Sequence, residues 1–168
     1  MVERMNSTYQ ANLPFIVAIA RGQPLQVPGQ KFVSECVVGY ASLDEYIHRG
    51  SIYRYTFDMD LYVHPEYQHG NVANCLLDRM LHLVSNSYMS KGGYDWVNDG
   101  DYLNTGKMRI VKVINLSVPH VEGANMEWMG NFLKKFEFRK AGHLMRVGYK
   151  AGMAYVSSFP FSLFQNSC

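Results

Sequence analysis

The stretch Leu61-Tyr62-Val63-His64-Pro65-Glu66-Tyr67-Gln68-His69-Gly70-Asn71-Val72-Ala73-Asn74-Cys75-Leu76-Leu77 decides the reading of this chain. Upstream of it, Tyr55 to His64 alternates at period two, which places Phe57, Met59, Leu61 and Val63 on one face of a strand and Asp58, Asp60, Tyr62 and His64 on the other. Pro65 stops the strand, because proline lacks the N–H a ladder needs. Downstream, Val72, Cys75, Leu76, Met80, Leu83 and Val84 recur at helical spacing up to about Ser85. Between strand and helix lies a turn of small and polar residues. Such a turn offers unpaired backbone N–H groups and the positive end of the helix dipole, a combination suited to a pyrophosphate. A plainer reading of the same residues makes Gly70-Asn71 a helix cap and Ala73 a packing residue.

Outward from this centre, the expected order is strand, strand, strand, helix, strand, helix, strand, strand. Met1 to Gln10 is polar and mildly helical and ends before Pro14, while Phe15 to Ala20 is a short β-branched run of the kind found in strands covered on both faces. Cys36 to Ala41 opens a second strand expected to pair with it as a hairpin. Ile110 to Leu116 reads as a buried strand, and Asn125 to Phe136 as a short helix with Trp128, Met129, Phe132 and Leu133 inward. Phe138 to Tyr149 and Tyr155 to Phe164 read as the last two strands. This is an α+β pattern around one mixed sheet, with residues 1–168 as a single domain. Ser87 to Lys107 has no periodicity and exceeds the roughly 12 to 15 residues at which a loop becomes unusual; its Tyr94, Trp96 and Tyr102 are expected either to form an aromatic lid or to anchor the loop.

Composition narrows the function. With 168 residues the chain can bury a real core, and 18% charged residues with a net charge of +2 leave no basic face for a phosphate backbone, so nucleic acid is not an expected partner. The longest apolar run, Leu13 to Ala20, is far short of the roughly 18 residues that span a bilayer, and no cleavable signal pattern follows Met1; no membrane association is expected. Three cysteines at unrelated spacings fit a reducing compartment, hence a cytoplasmic location. His48, His69, His82, His120 and His143 have no metal-ligand spacing, and no metal is expected.

The central stretch resembles the signature of the GCN5-related N-acetyltransferases, the GNAT superfamily, in which a strand ending L-Y-V-x-P leads into Q/R-x-x-G-x-G/A. Here the second part is Gln68-x-x-Asn71-x-Ala73. The resemblance extends through Leu13 to Ala20, Val37 to Leu43, Phe132-Leu133-Lys134-Lys135-Phe136-Glu137-Phe138 and Gly148-Tyr149-Lys150-Ala151-Gly152. It is nearest in look to the phosphinothricin acetyltransferase-like branch. It implies a single mostly antiparallel sheet flanked by helices, without the family's usual first strand and helix, and transfer of an acetyl group from acetyl-CoA to a primary amine of a small molecule. It also implies that Leu61, Tyr62 and Val63 offer main-chain groups to the pantetheine arm. Gln68, His69, Gly70, Asn71, Val72, Ala73 and Asn74 would then hold the pyrophosphate, with Asn125 as a further cofactor contact.

Asp58 aligns with the carboxylate that phosphinothricin-type relatives use, as Glu, to deprotonate the acceptor ammonium. Asp60 shares its face, and two ionised carboxylates there would repel and raise one pKa. His64 is a second candidate base, since imidazole titrates near neutrality, or else a cap of the turn. Several positions depart from the family: Asn71 and Glu137 stand where glycine is usual, Leu133 where a tyrosine acid often sits, and Ala154 and Val156 where Trp and Asp commonly follow G-x-K-x-G. These departures keep two other readings open, a catalytically degenerate binding or assembly module and a fold recruited for non-acyl chemistry on a hydrophobic metabolite. An apolar first strand left at a sheet edge further predicts a homodimer.

Overall fold

The computed structural model describes residues 2–21, 35–46, 52–97, 109–121, 124–150 and 153–164. In chain order the elements are α1 (Val2–Gln10), β1 (Phe15–Arg21), β2 (Glu35–Glu45), β3 (Thr56–Val63), a 3-10 turn (Pro65–Tyr67), α2 (Val72–Val84), β4 (Val113–Val121), α3 (Glu127–Lys134), β5 (Arg139–Lys140), β6 (His143–Lys150) and β7 (Met153–Phe164). The strand order is β1-β2-β3-β4-β7-β5, with β6 also on β7. Strands β3 and β4 run parallel, while β1–β2, β4–β7, β5–β7 and β6–β7 are antiparallel, so the sheet is mixed as expected. Contacts divide the chain into two compact units, residues 1–42 with 61–103 and residues 43–60 with 104–168.

In the first unit, β1 and β2 form the expected hairpin pairing, Phe15 opposite Ser42 through Arg21 opposite Glu35. The register shifts between Ala18 and Ile19, which leaves Val38 as an extra residue on β2. Strand β1 is not covered on both faces. Ile16 is buried but Ile19 is 49% exposed, on the strand that ends the strand order. Helix α2 buries Leu76 and Met80 of the expected stripe together with Leu77 and Leu81, which lay outside it, while Val72, Cys75, Leu83 and Val84 are only half-buried; each fully buried side chain contributes about 1.5 to 3 kcal/mol. Close packing of this helix depends on Gly39. A Cβ there would lie 2.7 Å from the Tyr62 carbonyl oxygen, 3.1 Å from Leu76 Cδ1 and 3.3 Å from Val72 Cγ1.

The second unit is built on the pairing of Phe57 with Ile114, both fully buried, beside Leu43, Met59, Leu116, Leu133, Phe136 and Phe138. Three expectations change here. The fourth strand starts at Val113 rather than Ile110, whose side chain is 64% exposed; the N–H groups of Lys112 and Val113 both bond the Tyr55 carbonyl, and regular pairing begins only beyond that point. Trp128 is 61% exposed rather than inward, because α3 spans only eight residues and turns Leu133 to the core. The run Phe138 to Tyr149 divides into β5 and β6, both on β7, with Phe138 buried ahead of the first. Gly148-x-Lys150-x-Gly152 sits at the β6–β7 connection, where Lys150 pairs with Met153; Ala151 and Gly152 lie outside the described residues. Ala154 and Val156 fall within β7, opposite Tyr149 and His120.

Candidate active site

Leaving β3, the chain makes one 3-10 turn from Pro65 to Tyr67, and His64 closes its start. The Glu66 N–H donates to His64 Nδ1 at 3.4 Å, and the His64 ring meets Tyr67 edge-on at 5.9 Å. Gln68, His69 and Gly70 follow, all exposed, and Asn71 then enters α2 with φ of 63° and ψ of 5°. Asparagine is thus in the left-handed conformation that a glycine would supply, and it is one of the few residues that adopt it at modest cost. Its side chain does not cap the helix. The Asn71 carboxamide instead reaches sideways, accepting from Asn74 Nδ2 and donating to Cys75 Sγ at 3.8 Å.

The consequence is electrostatic. The first helical N–H to find an acceptor is that of Cys75, which bonds the Asn71 carbonyl at 3.1 Å. Those of Val72, Ala73 and Asn74 precede it and, by helix geometry, have no intrahelical acceptor. No acidic side chain stands in this first turn to compete for them. A helix start with amides lacking an intrahelical acceptor, a positive dipole end and no acidic residue in its first turn fits a pyrophosphate, so the residues present suit the CoA expected from the sequence. Of the main-chain groups expected for the pantetheine arm, those of Leu61, Tyr62 and Val63 lie on the last stretch of β3, beyond its pairing with β4, which ends at Asp58 opposite Asn115. The side chains of Leu61 and Val63 are half-buried, and that of Tyr62 is exposed.

Asp58 belongs to the second unit. It is half-buried on the face of β3 opposite Phe57 and pairs with Asn115 across the ladder. Burial raises its pKa above the ordinary carboxylate range; a hydrogen bond with the Asn115 side chain works against this, and the charge of Asp44 on β2 adds to it. The charge of Asp44, on a different strand, thus acts on Asp58, a neighbour not foreseen from the sequence. A carboxylate held this way is a better proton acceptor near neutrality. Asn125 lies two residues ahead of α3, its Oδ1 accepting from the Glu127 N–H at 3.0 Å, and Leu133 is fully buried and has no proton to give.

Asp78 in α2 was not foreseen. It is 2% exposed and accepts from Tyr88 Oη at 2.7 Å, Ser90 Oγ at 2.6 Å, the Lys91 N–H at 2.8 Å and Tyr94 Oη at 2.8 Å. Burial alone would raise its pKa, yet the donors from Ser90, Lys91, Tyr88 and Tyr94 hold it down at about 2. Trp96 lies under the Arg79 guanidinium, 4.0 Å from ring centroid to Cζ. Tyr94 and Trp96 therefore fasten the segment after α2 to the helix; Tyr102 lies outside the described residues. Burial and the Asp78 charge also raise the Cys75 pKa, which keeps that thiol protonated and unsuited to nucleophilic work. Asp78 had one sequence signal, an acid among the apolar residues of the helix, and Asn115 had another, a polar residue inside an apolar strand.

Among the described residues no helix is long and apolar enough to cross a membrane, and no group of three potential metal ligands occurs. No family model and no curated protein matches the sequence. Solved structures do match in fold. An N-acetyltransferase from Staphylococcus aureus is 18% identical with a TM-score of 0.60 over 97% of this chain and 74% of that one. A ribosomal-protein-alanine N-acetyltransferase from Brucella melitensis is 18% identical with a TM-score of 0.62, over 98% and 76%. A GNAT superfamily phosphinothricin acetyltransferase from Sinorhizobium meliloti, in complex with acetyl-CoA, is 17% identical with a TM-score of 0.58, over 98% and 67%. With its mixed sheet, its strand-turn-helix centre and these neighbours, the chain has the fold of the GNAT acetyltransferases.

Proposed function

We propose that the protein is an acetyl-CoA-dependent N-acetyltransferase whose acceptor is a primary amine of a small molecule. The observation that carries this reading is the start of α2, where left-handed Asn71 leaves the amides of Val72, Ala73 and Asn74 without a side-chain cap and the first turn holds no acidic residue. Those amides, with Gln68, His69 and Gly70 ahead of them, would hold the pyrophosphate, and the main chain of Leu61 to Val63 would align the pantetheine arm as an added strand. Bound acetyl-CoA supplies the activated acyl carbon. Asp58 takes a proton from the acceptor ammonium, directly or through water, so that the free amine can attack. Its raised pKa suits that task, and Asn115 fixes its orientation. His64 is the weaker choice for a base, because its Nδ1 already receives the Glu66 N–H. A backbone N–H of β3 would face the developing oxyanion. Holding both reactants in place supplies roughly 7 to 11 kcal/mol of barrier reduction, so turnover does not require an acid at Leu133.

The buried Leu133 also favours a second reading, a module that binds the cofactor without turning it over. A homodimer across the β1 edge, in a reducing cytoplasm, completes the proposal. Calorimetric titration with acetyl-CoA, followed by an amine-dependent thiol-release assay, tests it. Saturable binding with turnover is expected; binding without turnover on any amine selects the second reading, and no binding at millimolar concentration overturns both.

A further inference from the structure

At one corner of the second unit, the end of β2 meets the residues that lead into β3 and β4. The Tyr46 N–H donates to the Thr56 carbonyl at 3.4 Å, and the Lys112 N–H donates to the Tyr55 carbonyl at 3.0 Å. Arg109 ties the three segments together. Its guanidinium pairs with the Glu45 carboxylate, donates to the Arg54 carbonyl at 3.3 Å and stands 4.9 Å from the centroid of the Phe57 ring.

Two further cations share a single ring. The Arg54 Cζ lies 4.6 Å and the Lys112 Nζ 5.4 Å from the centroid of Tyr55, both within the roughly 6 Å reach of a cation–π contact. Both side chains are exposed, and among the described residues neither has a carboxylate partner, whereas Arg109 has Glu45. A ring quadrupole attracts a cation but does not neutralise it, so two like charges stand uncompensated beside Tyr55.

A second observation is apolar. Tyr46 and Tyr53 meet edge-on at 5.5 Å, Ile52 precedes Tyr53, and Ile110 follows Arg109. All four are exposed, Ile52 by 89%. Single exposed apolar residues are ordinary, but tyrosines, isoleucines and arginine gathered at one corner have the composition of an interface.

We infer that this corner docks an acidic peptide segment of a partner protein, its carboxylates answering Arg54 and Lys112 and a large apolar side chain packing against Ile52 and the Tyr46–Tyr53 pair. Charge decides among the occupants. A second copy seated here by twofold symmetry would bring Arg54 and Lys112 against their own counterparts, and like charges opposed across an interface disfavour it. A phosphate backbone gains from only two open cations and leaves the apolar side chains unused. A short acidic peptide matches both the cations and their neighbours. The inference does not rest on the acetyltransferase reading, since none of these residues takes part in that reaction.

The test is fluorescence anisotropy of the full chain at low salt with three labelled peptides. They are Ser-Glu-Leu-Glu-Phe-Glu-Ser, the same peptide with glutamine for glutamate, and the same with serine for leucine and phenylalanine. The first should bind saturably below about 1 mM, and each of the others about tenfold more weakly. Arg54→Gln with Lys112→Gln should weaken the first peptide about tenfold and leave the glutamine peptide unchanged. Ile52→Ser should weaken both by about fivefold. Arg54→Glu with Lys112→Glu should transfer the preference to a lysine version of the peptide, which loss of packing alone would not do. Thermal melting shows whether each variant keeps its fold, and the peptide series on the wild type decides without any variant. No saturable binding at about 1 mM, equal binding of the glutamate and glutamine peptides, or a folded charge-reversed chain that keeps the acidic preference would overturn the inference. Tighter binding of a thymidine oligonucleotide or of phosphatidylserine vesicles would overturn it too, and would assign the corner to a phosphate-bearing partner.

Discussion

Asp58 and Asp78 are both carboxylates withdrawn from water, one on a strand and one on a helix, and the fold treats them in opposite ways. Asp78 is the more buried of the two, yet its pKa is held down at about 2, because two tyrosines, a serine and a backbone N–H all donate to it. Asp58 is only half-buried but has its pKa raised, because burial outweighs its hydrogen bond with Asn115 and Asp44 repels it. The number of donors, not the depth of burial, sets the sign. A carboxylate surrounded by donors holds structure together and has no reason to take a proton. One that is short of donors is ready to accept it.

The largest effect expected from this contrast is on rate. Asp58→Asn should lower turnover several hundredfold, within the roughly 10²- to 10⁴-fold range of general-base catalysis, with acetyl-CoA affinity unchanged. Steady-state kinetics and calorimetry on one preparation check both halves. The acid limb of the rate profile should lie above the ordinary carboxylate range, since the base works only when ionised and its pKa is raised. Stability should move the other way. A carboxyl whose pKa is higher in the fold than in the unfolded chain opposes folding once ionised, so Asp58→Asn should melt no lower than the wild type at neutral pH.

Asp78→Ala should be the most damaging change to stability, by about 3 kcal/mol, since it strands three hydroxyls and an N–H around an empty position. Denaturant unfolding measures it. Because the folded pKa is depressed, the stabilisation is complete above the unfolded value near 3.8 and is lost as pH falls toward about 2, an acid-dependent term of about 2 kcal/mol. Asp78→Ala should flatten that part of the stability profile, and Asp58→Asn should leave it in place.

Smaller effects sharpen the same picture around the backbone. Gly39→Ala should cost about 2 kcal/mol, because the new Cβ meets the Tyr62 carbonyl, a backbone atom with little room to retreat. Glu137 is left-handed at φ of 66°, and Glu137→Gly should raise stability by up to about 1 kcal/mol by removing that strain, as melting curves would show.

How much of this was legible beforehand differs by element for physical reasons. The β1–β2 hairpin, the Phe57 and Met59 face of β3 and helix α2 follow from period and punctuation, because burial on one side leaves its mark on every second or every third to fourth residue. The α2 start was legible as a motif, but whether Asn71 replaces a glycine was a question of one dihedral angle, which no spacing encodes. The Asp78 cluster could not be read, since its donors come from 10 to 16 residues further on, in a segment with no period of its own. Asp44 was missed as a neighbour of Asp58 because their repulsion acts between strands, which the spacing along one strand does not record. Trp128 and Ile110 show apolar residues whose burial depends on where an element begins, the least predictable feature of any pattern.

The central claim is that the open amides at the start of α2 are the anion site on which acetyl-CoA binding depends. Amide-resolved NMR of the nitrogen-15-labelled 19.2 kDa chain, titrated with acetyl-CoA, tests it most directly. The account predicts that the largest, saturable shifts fall on the N–H groups of Val72, Ala73 and Asn74, with S-acetylpantetheine, which lacks the pyrophosphate, leaving those three nearly unmoved. Saturable shifts that bypass these amides, or no shifts at millimolar acetyl-CoA, would contradict it.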